Sequence, residues 1–207
     1  MQFKYDVYSL MIMVAVISFL GFVLENIWLA ITKGYVDNRN MSLPFLIGYG
    51  LLVVGIYIFI GLPQSMSPIG NFILKKLKLK RYVLYFILAF IIVSIGEILL
   101  GLFVKLFFGF DYWNYSRLPL HFTKYTSIPT SIGFASIILF FMSKCFAPIM
   151  DLINLIPLLK KAVIGISLII IMAADFMVSF FKMYKNRSLN IKWKRYIVKG
   201  DISTAKY

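Results

Sequence analysis

Five apolar runs of roughly twenty residues, parted by short polar or basic loops, limit what this chain can fold into. A bilayer core about 30 Å thick takes about 20 residues of helix to cross. Inside it each backbone polar group has to be satisfied within the segment, which favours helices. The runs lie at about 10–31, 43–62, 82–107, 129–146 and 162–183. The 207-residue chain is 61% hydrophobic and 14% charged, against roughly 25% charged in a soluble domain. These features predict an all-α polytopic membrane protein. It has about five transmembrane helices, an interfacial segment and a basic C-terminal tail. Residues 1–184 form a single transmembrane domain and 185–207 a membrane-surface tail.

Breakers and charges mark the boundaries. The first run contains Glu25 and ends in Leu29-Ala-Ile-Thr-Lys33, unlike the short apolar stretch and small-residue site of a cleaved leader. It reads as a retained helix. Pro44 opens the second span, Gly61 and Pro63 close it, and Pro129 opens the fourth. The stretch from Pro148 to Lys161 is broken by Asp151, Asn154 and Pro157, too short to cross, and reads as lying in the interface.

Twenty-two Lys and Arg against eight Asp and Glu give a net charge of +14. The cations sit beside apolar runs, chiefly Lys75, Lys76, Lys78, Lys80 and Arg81 and the tail around Trp193 and Tyr196. Anionic lipid headgroups fit that placement, and no nucleic-acid-binding pattern accompanies it. Five alternating spans put the N-terminus, the Lys75–Arg81 cluster and Lys160-Lys161 on one side, which predicts a cytoplasmic N-terminus in the plasma membrane. The basic tail votes for the other side; four crossings with one re-entrant segment satisfy both.

Three acids stand out inside the spans: Glu25, Glu97 and Asp175. A charge at membrane depth is costly and marks ligand or ion paths by default. Alternation of the spans brings all three toward one leaflet, under the Asn38-Arg39 loop and the Trp113–Ser116 loop. Each acid also has a small residue one helical turn away: Gly21, Gly101 and Ser179. Small residues let helices approach closely. The expectation is a shared polar pocket of Glu25, Asn38, Arg39, Tyr49, Glu97, Lys105, Trp113, Asn114, Tyr115, Ser116, His121 and Asp175. Trp113 and Tyr115 also suit a plain interfacial belt. His121 is the only histidine, so no multi-histidine metal site is expected, and no cofactor. Cys145 is the only cysteine and reads as a small buried hydrophobe. No glycine-rich phosphate loop or nucleophile elbow is present, so ATP hydrolysis is not expected of this chain.

These same residues carry a resemblance. Glu25, Asn38-Arg39, Pro44, Tyr49-Gly50, Glu97, Gly101, Phe108, Trp113, Tyr115-Ser116, Pro119-Leu120 and Asp175-Phe176 follow one another as in a bacterial family of small membrane proteins, the putative ABC-transporter type IV permeases. The chain resembles that family from about Ser18 to Phe181. It departs at Lys105, where the family has a second acid, at Asn114 for Asp, at His121 for Asn, and at Lys124-Tyr125 for Gly-Arg. The resemblance implies a permease-like or transporter-associated protein for a small polar or amphiphilic ligand, with any ATP-binding subunit on a separate chain. Two other classes stay open: an intramembrane enzyme acting on a lipid or lipid-linked substrate, and a non-catalytic accessory, immunity or sensor protein on the same scaffold.

Overall fold

The computed structural model describes residues 4–198 and 201–204; residues 1–3, 199–200 and 205–207 of the expected domain and tail lie outside the described residues. In chain order the elements are α1 (Val7–Lys33), β1 (Tyr35–Asp37), α2 (Ile47–Ile60), α3 (Pro68–Leu77), α4 (Arg81–Phe108), β2 (His121–Thr123), β3 (Thr126–Ser127) and α5 (Ile128–Phe140). A π-helical turn at Phe141–Cys145, α6 (Phe146–Asn154), α7 (Leu158–Asn186), β4 (Lys194–Val198) and β5 (Asp201–Thr204) complete the described chain. Asp6 caps α1 by accepting the Ser9 N–H at 3.0 Å, and Gly34 ends it in the left-handed region at φ 70°. Gly109, at φ 82°, ends α4 in the same way. Glycine takes up that conformation without a Cβ penalty.

Among the described residues four helices, rather than about five, are long and apolar enough to span: Val7–Lys33, Arg81–Phe108, Ile128–Asn154 and Leu158–Asn186. The expected second span is only the 14-residue α2, about 21 Å at 1.5 Å per residue. Its predicted first turn is not helical: the Phe45 N–H bonds the Leu43 carbonyl and the Leu46 N–H the Ser18 carbonyl, and Pro44 biases Leu43 toward extended backbone. The fourth span is longer than expected. The helix does not break near Pro148 but continues to Asn154, so the Pro148–Lys161 stretch is split between α6 and α7 instead of forming a separate interfacial segment. A π turn lies just before Pro148, where the Phe146 N–H bonds the Phe141 carbonyl, and the Gln64 side chain donates to the Ser143 carbonyl.

The chain divides into two compact units, Met1–Val54 with Leu152–Tyr207, and Gly55–Asp151. In the first, α1 and α7 run parallel. Their starts meet where Gly165 lies against the Tyr8 carbonyl and Met11, and where the buried Lys161 binds Asp6, Ser9 and Asn154. Beyond their far ends, β1 pairs antiparallel with β4, Tyr35 opposite Tyr196 and Asp37 opposite Lys194, and β4 pairs with β5. The tail residues Lys194–Val198 and Asp201–Thr204 are therefore built into a sheet.

In the second unit α4 packs along α5. Tyr85 donates to the Gly61 carbonyl at 2.9 Å, and Tyr57 stacks on Phe146 with ring centroids 4.6 Å apart. Ser127 and Thr130 form a reciprocal capping box at the start of α5. α3 exposes Ile69, Phe72 and Leu77 and carries Lys75 and Lys76 in its last turn.

Candidate functional site

In the first unit the site is organised by the chain between α1 and α2. Leaving β1, the backbone takes two consecutive left-handed residues, Arg39 at φ 47° and Asn40 at φ 68°. Asn tolerates this region, while a side chain such as Arg resists it by about 1 kcal/mol or more. Several bonds hold the turn. Asp37 Oδ1 accepts the Arg39 N–H at 2.8 Å, and Asn26 Oδ1 accepts the Asp37 N–H at 2.8 Å. The buried Asn38 donates to the Met41 and Asn190 carbonyls at 2.7 and 2.8 Å and accepts the Lys192 N–H at 2.9 Å. Asn40 accepts the Asn190 N–H at 2.6 Å. The segment after α7 thus clasps the turn through two asparagines.

The turn aims Arg39 at the acid of α1. Arg39 Nη2 lies 3.0 Å from Glu25 Oε2, both side chains about one-fifth exposed, and Arg39 Nη1 lies 3.8 Å from the nearly buried Asp37. Tyr49, in the first turn of α2, donates its hydroxyl to the other Glu25 oxygen. This geometry depends on Gly21. A Cβ there would stand 2.5 Å from the Tyr49 ring, so only glycine lets the ring lie on α1 one turn below Glu25. The Glu25 carboxylate, on a mostly apolar helix, is thus bonded by a guanidinium and a phenol and stays about one-fifth exposed. Ligand amines would compete for Glu25, and ligand anions for Arg39.

Asp175 has a different task. Its carboxylate accepts the Ser42 N–H at 3.0 and 3.1 Å and the Leu43 N–H at 2.9 Å, and Ser179 Oγ lies 3.4 Å away. These two backbone donors belong to the non-helical lead-in of α2, and Asp175 serves them as a helix cap would. The neighbouring depression of about 280 Å³, lined by Ile12, Ala15, Phe19, Phe45 and Leu168 among others, is apolar.

In the second unit Glu97 Oε2 bonds Thr126 Oγ1 at 2.6 Å. Gly101, one turn on, accommodates the Tyr125 ring, where a Cβ would approach to 2.4 Å. Past the end of α4, Asp111 receives Lys124 Nζ at 2.8 Å and Tyr125 Oη at 3.0 Å, with Lys105 Nζ 3.9 Å away. The Lys124 ammonium foremost, then the Tyr125 hydroxyl and Lys105, outweigh desolvation and hold Asp111 below the usual carboxylate range. Trp113 Nε1 donates to the Tyr125 carbonyl at 2.8 Å, and the Tyr115 N–H to the Lys124 carbonyl at 2.7 Å. Asn114 Oδ1 accepts the Ser116 N–H at 2.8 Å in a local turn, and the exposed His121 lies 3.0 Å from the Leu118 carbonyl.

The first unit therefore joins Glu25, Arg39 and Tyr49 directly, ties Asn38 to the segment after α7, and turns Asp175 to the backbone. The second gathers Lys105 and Trp113 around the Asp111–Tyr125 corner, while Asn114, Ser116 and His121 make local bonds. Sequence reasoning passed over Asp37, Asn40, Asp111, Thr126 and the serines near Glu97. Asn40 carried a signal in the Asn-Arg-Asn triplet, since Asn favours left-handed turns. The hydroxyl residues carried none, being common in helices and caps.

Compared with known proteins, a family model described as "Putative ABC-transporter type IV" matches residues 12–180. No curated protein and no solved structure matches the chain.

Proposed function

The chain belongs to the Putative ABC-transporter type IV family and is a membrane, transporter-associated protein; from that premise we propose that it is permease-like and recognises a small polar or amphiphilic ligand at Glu25, Arg39 and Tyr49. The observation that carries this reading is the Arg39–Glu25 contact at 3.0 Å, one-fifth open and beside apolar helices. Ion pairs at such depth are expensive to hold and belong to ligand paths more often than to packing. The corner around Asp111 fits the role less well. Lys105, Lys124 and Tyr125, three of the positions that depart from the family pattern, all converge on Asp111, so two ammonium groups and a phenol already occupy that carboxylate.

A separate ATP-binding chain would supply the energy, as the family description suggests. The amphipathic α3 and the cations Lys75, Lys76, Lys78, Lys80 and Arg81 suit the anionic headgroups of a plasma membrane, with the N-terminus cytoplasmic. The test is thermal stabilisation of the purified protein by a panel of amino acids, quaternary amines and short-chain phospholipids. One class should raise the unfolding temperature of the wild type but not of Glu25→Gln or Arg39→Gln. A class that stabilises both variants as well as the wild type overturns the assignment.

A further inference from the structure

The ion pair on α1 limits what can displace it. Arg39 Nη2 meets Glu25 Oε2 at 3.0 Å, and the Tyr49 hydroxyl holds the other carboxylate oxygen. Lys192 and Lys194, on the segment that clasps the Arg39 turn, are engaged elsewhere. Lys192 Nζ donates to Ser42 Oγ, and Lys194 Nζ lies over the rings of Tyr35 and Tyr196, 3.9 and 4.8 Å from their centroids. A ligand with a single charge can take one member of the pair only by stripping the other of its counter-ion in a poorly solvated place, and that loss exceeds the gain from the new contact. For a lone anion on Arg39 the stripped group is Glu25, left with the Tyr49 phenol. For a lone cation on Glu25 it is Arg39, whose Nη1 is 3.8 Å from Asp37 Oδ1, beyond hydrogen-bond reach. Its bond to Glu25 is lost whatever else the guanidinium touches. The backbone holds its place, because Arg39 sits at φ 47° between the buried and hydrogen-bonded Asn38 and Asn40.

We propose that the ligand of this site is a zwitterion, an ammonium and an anion joined by a short linker, with the ammonium on Glu25 Oε2 and the anion on the Arg39 guanidinium. Such a molecule inserts between the two members, leaves neither charge without a counter-ion, and adds no net charge to a spanning helix. The inference rests on the reading of Glu25, Arg39 and Tyr49 as the ligand site and narrows it: amines without an anion and anions without an amine are rejected. Tyr49 keeps the other Glu25 oxygen throughout, so the carboxylate stays oriented while Oε2 changes partner. The planar guanidinium presents parallel N–H groups to a carboxylate or a phosphate. An α-amino acid and a phosphoethanolamine headgroup both carry the required chemistry. Glu25 lies eight residues before Lys33 at the end of α1, about 12 Å at 1.5 Å per residue, so a solute from water and a lipid headgroup both come within range.

The experiment measures binding to the purified full-length protein by titration calorimetry, with matched analogues from both sources. The water-soluble set is leucine, isoamylamine (cation only) and N-acetylleucine (anion only). The lipid set is dihexanoyl phosphatidylethanolamine, its N-acetyl derivative (anion only) and hexylamine (cation only). At least one zwitterion should bind the wild type, and its single-charge analogues should bind about tenfold more weakly or worse; which zwitterion binds tells solute from lipid. Arg39→Gln should invert the order. It should lose the zwitterion and gain severalfold for the cation-only analogue, because Glu25 is then open to an amine and repels the ligand's anion. Damage to the fold weakens all analogues alike and gives no inversion. A single-charge analogue that binds the wild type as tightly as the zwitterion, and is lost in Glu25→Gln, overturns the zwitterion and leaves the site standing. Zwitterion binding that survives both Glu25→Gln and Arg39→Gln removes the site and this inference with it. Binding of neither zwitterion to the wild type also overturns the inference.

Discussion

Replacing Asp175 separates two meanings of an acid inside a spanning helix. Its carboxylate holds the N–H groups of Ser42 and Leu43 at 2.9 to 3.1 Å, and the residue is only 8% exposed. Hydrogen bonds to a charged acceptor contribute about 1.5–3 kcal/mol each, so two would give about 3–6 kcal/mol. The true figure is lower, because Ser42 and Leu43 are themselves exposed and unfolded chains in membranes find substitute partners. Asp175→Ala should therefore cost about 2–4 kcal/mol. Asp175→Asn keeps one acceptor oxygen and should cost about half as much. Ser179→Ala removes only a 3.4 Å contact and should stay within roughly 0.5 kcal/mol. Thermal unfolding of the purified variants measures the order, and limited proteolysis should show new cleavage within residues 38–46 for Asp175→Ala alone. An Asp175→Ala protein as stable as wild type, with its loop uncut, would refute the capping role. Loss of ligand binding in such a stable variant would make Asp175 a ligand contact instead.

Gly21→Ala brings a methyl group to 2.5 Å from the Tyr49 ring, which has to move off Glu25 at an overpacking cost of about 1–3 kcal/mol. Ligand stabilisation in Gly21→Ala should fall to the level of Tyr49→Phe, whereas Gly55→Ala, whose added carbon meets open space, should bind normally. Acid unfolding should expose the clamp at the start of α1. Burial alone would raise Asp6, but the Lys161 ammonium and the Ser9 N–H and hydroxyl outweigh it and hold the carboxyl at about 2. The folded value lies below the unfolded one, so the stabilisation is complete above about pH 4 and is lost as pH falls toward 2. The shift corresponds to roughly 2 kcal/mol. With the Asp6 side chain 34% exposed, solvent screening reduces that to about 1 kcal/mol. Asp6→Asn should flatten the dependence of unfolding temperature on pH in this window, and an unchanged slope would count against the clamp.

The reach of sequence reasoning differs from residue to residue. Long apolar runs declare their helices, because burying a backbone in lipid leaves little else to form; α4 and α7 came out close to the predicted limits. Pro44 was read as a helix start when it marks the last residues of a non-helical lead-in. Its role there depends on Asp175, more than 130 residues away. Pro148 was read as the start of an interfacial segment, whereas the helix that begins at Ile128 carries on through it to Asn154. Glu25 was singled out by its cost inside a span and Arg39 by its place in the loop above it, and the two are in contact; Tyr49 was named beside them, but not its seat on Gly21.

Composition and apolar period by themselves determined a membrane-embedded helical protein and which of its residues were costly, since transfer into lipid is a property of each residue and its near neighbours. Tertiary structure alone decided what each costly residue does. Glu25 meets a guanidinium, Asp175 meets two backbone N–H groups, and Glu97 meets the Thr126 hydroxyl. A carboxyl's state and task depend on the donors within about 3 Å of it, and those donors come from segments distant along the chain.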